Sequence, residues 1–97
     1  MTITIVCGFL GGFFAGNGAP YYFAGSIGEP TNPSPFADSA LVNVVVGWVA
    51  LLIGALCLVA ASRRGQPWVV AAAAALGVLV VGLIHARLWR RDPWRKK

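Results

Sequence analysis

Three long apolar stretches, separated by short polar segments, dominate the pattern of side chains along this chain. The clearest covers residues 40–61, which carry no charged side chain. As an α-helix this stretch would extend about 33 Å, close to the ~30 Å hydrocarbon thickness of a bilayer. A chain of 97 residues is too short to bury such a surface in water. The stretch is therefore predicted to be a membrane span.

The first apolar stretch, residues 2–19, is predicted to be another span. No basic residue precedes it, so it lacks the charged start of a secretory signal. Pro20 is expected to end or kink the helix, because proline has no amide hydrogen and its ring clashes with the preceding turn. The alternative is two full spans preceded by a re-entrant N-terminal segment, since the stretch is rich in glycine.

The third span is predicted at residues 68–89, where Trp68 and Trp89 stand about 31 Å apart along a helix and can lie at the two interfaces. Residues 26–39 contain three prolines and are predicted to be a linker. Residues 90–97 form a basic tail. The pattern thus predicts an all-α membrane protein with three transmembrane helices, forming one membrane domain over residues 1–97.

Composition supports this class: 58% of the residues are hydrophobic, 11% are charged, and the mean hydropathy is +0.73. The net charge of +5 comes mainly from the C-terminal end. The basic residues there are Arg87, Arg90, Arg91, Arg95, Lys96 and Lys97. We interpret them as topology determinants that place the C-terminus in the cytoplasm and the N-terminus outside, in a multi-pass protein of the bacterial inner membrane. No nucleic-acid partner is expected, because no base-reading fold remains.

Small residues recur at helical spacing in all three spans. Such faces let neighbouring backbones approach closely. In the first span they are Gly8, Gly12 and Gly16; in the second Asn43, Gly47, Ala50, Gly54, Cys57 and Ala61; in the third Ala71, Ala75, Val78, Gly82 and His85. We predict that these faces pack the helices, and that the glycines of the first span meet the stripe on the second.

Three polar side chains, Asn17, Asn43 and His85, fall near the predicted cytoplasmic boundary of their spans. They are predicted to form a hydrogen-bonded cluster between the helices. One interpretation is that the cluster holds the helices together or faces headgroup water. The other is a functional role, with His85 binding a proton or a ligand.

The remaining chemistry-bearing residues indicate no reaction. Cys7 and Cys57 are interpreted as packing residues, although a disulfide between them is sterically conceivable. No metal-ligand spacing, phosphate loop or catalytic carboxylate pair occurs, so we expect no enzyme activity, metal or cofactor. The acidic residues Glu29, Asp38 and Asp92 all lie in predicted loops, which argues against a proton-coupled transporter of the small multidrug type.

One set of residues carries a family resemblance. It comprises Gly16-Asn17-Gly18-Ala19-Pro20-Tyr21, Gly25, Gly28, Pro35-Phe36, Ser39, Asn43-Val44 and Gly47-Trp48. With this arrangement the chain resembles a group of short, uncharacterised bacterial polytopic integral membrane proteins. The resemblance implies a bacterial membrane protein and no particular chemistry, and it directs attention to the Gly-Asn-x-x-Pro element and to Asn43.

Two functional classes compete at this stage. The first is a non-enzymatic accessory or structural protein that packs in the lipid bilayer against itself, as a homo-oligomer, or against a larger membrane complex. The second is a holin-like protein that permeabilises the membrane, with which it shares the length, the three spans and the basic tail. A small transporter component is a weaker alternative. Of the three, the accessory role is the one we favour.

Overall fold

The computed structural model describes residues 1–32 and 38–88. It contains three α-helices: α1 (Thr2–Ser26), α2 (Ala40–Ser62) and α3 (Pro67–Leu88). All three are long and apolar enough to cross a bilayer, and the described residues contain no strand. The predicted all-α, three-helix fold is confirmed. The alternative with a re-entrant first segment is not supported, because α1 is one continuous helix of 25 residues.

Helix α1 extends well beyond the predicted end of the first span at residue 19, and Pro20 lies inside it. It ends at Ser26, two residues before Gly28, whose φ of +85° is a left-handed conformation that glycine adopts without strain. The N–H of Gly28 bonds to the carbonyl of Gly25 at 3.0 Å, and the N–H of Glu29 bonds to that of Ala24 at 2.8 Å. This pair of bonds is a Schellman motif, which satisfies carbonyls at the helix end.

Pro20 was predicted to end or kink the helix, and the first of these alternatives is wrong for a physical reason. An interior proline costs a helix about 3 kcal/mol. Ending the helix there would leave up to four carbonyls without partners, and in hydrocarbon each costs several kcal/mol. Beyond Pro20 the helix also buries Tyr21 and Gly25. Continuing through the proline is therefore the more stable outcome.

The other described boundaries lie within one residue of the prediction. Ser39 caps α2, its side chain accepting the N–H of Val42 at 3.3 Å. Helix α3 begins at Pro67, a position where the missing N–H has no intrahelical role. Residues 33–37 of the linker and residues 89–97, which include Trp89 and the basic tail, lie outside the described residues.

Helix α1 lies between the other two, and α2 and α3 hardly touch. Helix α1 takes the central position because its glycines occupy two different faces. Gly11, Gly18 and Gly25 face α2, whereas Gly8, Gly12 and Gly16 face α3. A central helix with two such faces can bring both neighbours to close range.

The α1–α2 contact is an antiparallel seam of small residues that recur every seven positions; we call it the heptad seam. Gly25 lies against Ala40, Gly18 against Gly47, and Gly11 against Gly54. The two series continue to Thr4 and Ala61, which are both fully buried. They are Thr4, Gly11, Gly18 and Gly25 on α1, and Ala40, Gly47, Gly54 and Ala61 on α2. A seven-residue repeat keeps one face of each helix towards its partner along the whole contact.

The α1–α3 contact is parallel and follows a four-residue spacing. Gly8 lies against Ala73, Gly12 against Ala74, and Gly16 against Val78 and Val81. The expectation that this glycine face meets α2 is therefore wrong. Both contacts are made by backbone and small side chains, and the large apolar side chains of all three helices lie mostly on the outside, where lipid can cover them.

Candidate functional site

The first polar contact inside the bundle joins α1 to α3. Nε2 of His85 lies 2.9 Å from Oδ1 of Asn17. Because that oxygen can only accept, Nε2 is the ring nitrogen that carries the proton in this contact. The ring of Tyr21, one turn further along α1, packs 5.9 Å from the His85 ring and is only 4% exposed. Gly16 makes this possible, since a side chain there would meet Val81.

Asn43, the third member of the predicted cluster, makes different contacts. Its Nδ2 donates to the carbonyls of Glu29 at 2.8 Å and Thr31 at 3.0 Å, and its Oδ1 accepts from Nδ2 of Asn32 at 2.9 Å. Asn32 and Asn43 are both fully buried. Asn43 therefore fastens the start of the linker to the first turn of α2.

The prediction of one three-residue cluster is thus wrong. The structure brings Asn17 and His85 together and places Asn43 in a separate node. The physical reason is the helix arrangement: α2 and α3 hardly touch, so a side chain on α2 does not reach His85. Asn17 is also deeper than predicted, since it lies nine residues, or about 13 Å, before the end of α1.

A third polar contact, which the sequence reasoning missed, lies at the opposite end of the bundle. The hydroxyl of Thr4 donates to Oε1 of Gln66 at 2.6 Å. It ties the loop between α2 and α3 to the first turn of α1. The available signal was the position of Thr4 at the head of the heptad series Thr4, Gly11, Gly18 and Gly25, which only a seven-residue reading would have found.

An open groove between α1 and α2 has Asn17 in its wall. Its volume is about 340 Å³, and apart from Asn17 its lining is apolar. The lining residues are Phe14, Asn17, Val45, Val46, Val49, Ala50 and Ile53. The oxygen of Asn17 is bound to His85, and within the described residues its amide nitrogen has no hydrogen-bond acceptor. The groove thus has one polar residue, Asn17, in an otherwise apolar lining.

The predicted packing glycines divide into two groups. Gly8, Gly12, Gly16, Gly47 and Gly54 all lie in helix contacts, because a Cβ added at any of them would meet a neighbouring helix. Gly82 is exposed, and nothing lies within 4 Å of the position of its Cβ, so its predicted packing role is wrong within this chain.

The predicted stripe on α3 is wrong in part: Ala71 and Ala75 are also exposed, whereas Val78 lies against Gly16 and His85 against Asn17. The buried positions of α3 are Val70, Ala73, Gly77 and Val81. Helix α3 is apolar on every side, so no polar face marks which side is buried.

The other predicted residues add little chemistry. Cys7 and Cys57 are free cysteines. Across residues 1–32 and 38–88 no group of three His, Cys, Asp or Glu side chains could hold a metal ion. Of the topology residues, Arg87 lies exposed in the last turn of α3. Arg90, Arg91, Arg95, Lys96 and Lys97 lie outside the described residues.

Comparisons with family models, curated proteins and solved structures give no significant match to this chain. The fold and the contacts described above therefore define the class by themselves. This is a small all-α protein with three candidate membrane-spanning helices, organised around a central glycine-rich helix.

Proposed function

We propose that this chain is a non-enzymatic accessory or structural subunit of the bacterial inner membrane, with its C-terminus in the cytoplasm, that packs against a larger membrane complex or against itself. The observation that carries the proposal is the polar residue Asn17 in the otherwise apolar wall of the α1–α2 groove. An N–H group without a partner in hydrocarbon costs several kcal/mol. A transmembrane helix lying in the groove removes this cost if it supplies an oxygen acceptor.

The groove suits a helix. Its walls are the branched and aromatic side chains Val45, Val49, Ile53 and Phe14, which a helix can contact over about two turns. The hydrogen bond to Asn17 then fixes the register of the partner. Such bonds between membrane helices contribute about 0.6 to 2 kcal/mol each, so most of the affinity comes from close packing.

The test is photocrosslinking in the intact membrane, with a benzophenone amino acid in place of Val49 in the groove or of Leu79 on the outside of α3. We expect a discrete crosslinked species from position 49 and none from position 79. Purification of the tagged chain in mild detergent then identifies the partner. A stoichiometric larger protein supports the accessory role. A homo-oligomer alone counts against a larger complex, and no crosslink at either position contradicts the proposal.

A pair of variants separates the groove from the contact within the chain. Asn17→Leu removes the donors from the groove and is expected to reduce the crosslinked fraction about threefold to thirtyfold. His85→Phe breaks the same Asn17–His85 bond but leaves the amide in place, so the crosslink should persist. An equal loss in both variants would show that the Asn17–His85 contact, rather than the groove, is what matters.

A transporter is less well supported by the structure. Asn43 is buried and bound to the linker, and the groove that reaches Asn17 is otherwise apolar. A holin-like role is distinguished by induced expression: rapid loss of the membrane potential would favour it, whereas unaffected growth is expected for an accessory subunit.

A further inference from the structure

The end of the bundle opposite the linker brings four chain segments together. Because α1 and α3 are parallel, both begin here, and the loop that joins α2 to α3 crosses between them. The Thr4–Gln66 bond holds that loop against the first turn of α1. The helix ends and the loop are thus held together as one surface at this end of the bundle.

A second open groove begins at this end and runs along the α1–α3 contact. Its volume is about 430 Å³ and its lining is apolar. The lining includes Met1, Ile5, Trp68, Val69, Ala72 and Leu76. From Trp68 to Leu76 it extends about 12 Å down α3, from the interface into the apolar zone. It is an open apolar groove, and the indole ring at its end is 85% exposed.

The charge at this end is positive and unbalanced. Arg63 and Arg64 are exposed, Arg64 lies four residues before Trp68, and no described residue forms an ion pair or hydrogen bond with either side chain. Of the described residues, the acidic Glu29 follows α1 and the acidic Asp38 precedes α2, so both lie at the other end. The first turns of α1 and α3 also contain no acidic residue, and the amino ends of both helices add partial positive charge.

We propose that this groove holds an acyl chain of an anionic phospholipid, whose phosphate group lies against the side chains of Arg63 and Arg64. The groove is apolar where the acyl chain lies, and the two arginines lie at the same end of the bundle, in the loop just before α3. Trp68 then lies at the boundary between the hydrocarbon region and the headgroups, where indole rings are favoured.

Other occupants fit less well. Residues 33–37 and 89–97 are joined to the chain at the opposite end of the bundle, about 33 Å away along α3. A second copy related by a two-fold axis along the membrane normal would bring its own Arg63 and Arg64 to the same level, which like-charge repulsion disfavours.

The test uses Trp68 as the only tryptophan, with Trp48, Trp89 and Trp94 replaced by phenylalanine. The full chain is placed in bilayers of phosphatidylcholine with brominated acyl chains, which quench nearby tryptophan. Unbrominated phosphatidylglycerol is then added, and the recovery of fluorescence gives the relative affinity of the two lipids at the groove. We expect a preference for phosphatidylglycerol of about thirtyfold, or about fivefold for each arginine.

Three variants sharpen the measurement. Arg63→Gln with Arg64→Gln is expected to abolish the preference, whereas Arg87→Gln at the other interface should leave it unchanged. Ala72→Phe should fill the groove and lower the preference, while Ala75→Phe, outside the groove lining, should not. The purified variants are first compared by circular dichroism and gel filtration.

Several outcomes would overturn the proposal. Equal affinity for the two lipids would do so, and so would an equal loss on Arg87→Gln. Competition by inorganic phosphate would indicate a site for a free anion instead of a lipid. Absence of quenching by brominated lipid, together with an oligomer in gel filtration, would indicate that a second copy covers the groove.

Discussion

The two helix contacts of this molecule are built on the same principle but differ in how they are secured. In the heptad seam between α1 and α2, glycine and alanine repeat every seven residues along the full length of both helices. The contact between α1 and α3 rests on three glycines spaced by four. Close backbone approach is common to both contacts. This is expected in lipid, because the lipid tails are as apolar as the side chains and apolar burial alone does not drive helices together.

The polar groups mark the difference more sharply. At the linker end the heptad seam is secured by Asn43, which makes three hydrogen bonds. At that same end α3 is joined to α1 by the contact between His85 and Asn17. In addition, α3 hardly touches α2. From this comparison we predict that the α1–α2 pair is held more firmly than the α1–α3 pair.

The largest effect is expected from Gly47→Val in the heptad seam. A Cβ at this position would meet backbone atoms of Tyr22 and lie 2.7 Å from the carbonyl oxygen of Gly18, so neither helix can yield without separating from the other. We expect the free energy of unfolding to fall by more than about 3 kcal/mol. Gly82→Val is the matched control, because that position is open. Denaturation in mixed micelles, followed by circular dichroism, measures the free energy of unfolding of both variants. Similar losses in the two would contradict the importance of close packing in the heptad seam.

Asn43→Leu is expected to have the next largest effect. The substitution conserves size but leaves the carbonyls of Glu29 and Thr31 and the amide of Asn32 without their partner. We expect a loss of about 2 kcal/mol, with faster hydrogen exchange at residues 28–32 and little change in α3. Exchange measured by mass spectrometry resolves these segments. Uniform acceleration over all three helices would show that Asn43 does not act locally.

The smallest effect is expected from Gly12→Ala in the α1–α3 contact. The added methyl group would meet the backbone of Ala74, so α3 must move outward. Alanine also favours the helix by about 0.5 to 1 kcal/mol, which offsets part of the cost. We expect a net loss of about 1 kcal/mol, with a longer α1–α3 distance between spin labels and an unchanged α1–α2 distance. A change in both distances would indicate that α3 is as firmly held as α2.

The helices themselves were largely predictable. The described boundaries of α2 and α3 lie within one residue of those expected, because charged residues, Ser39 and Pro67 mark them directly. The end of α1 was not predicted correctly, since Pro20 is a stronger local signal for a helix end than Gly28. The signal that could have corrected it was Gly28 followed by Pro30, a common helix ending.

The candidate site was predicted only in part. Asn17 and His85 are partners, although Asn17 lies deeper than the predicted end of its span implied. Asn43 is not part of that pair, and the buried face of α3 was misassigned. Depth does not say which way a side chain points, and a helix that is apolar all round carries no pattern to reveal it.

The sequence alone therefore determined that there are three helices, where most of them begin and end, and that α1 and α2 carry small residues that allow close contact. Those features follow from local chemistry: apolar runs, caps and glycine. Only the tertiary structure decided that α1 lies in the middle, that its two glycine faces serve different partners, and that Asn43 binds the linker. The reason is that helices in lipid pair through shape and through hydrogen bonds between distant residues, and neither is encoded in the hydrophobic pattern of one segment.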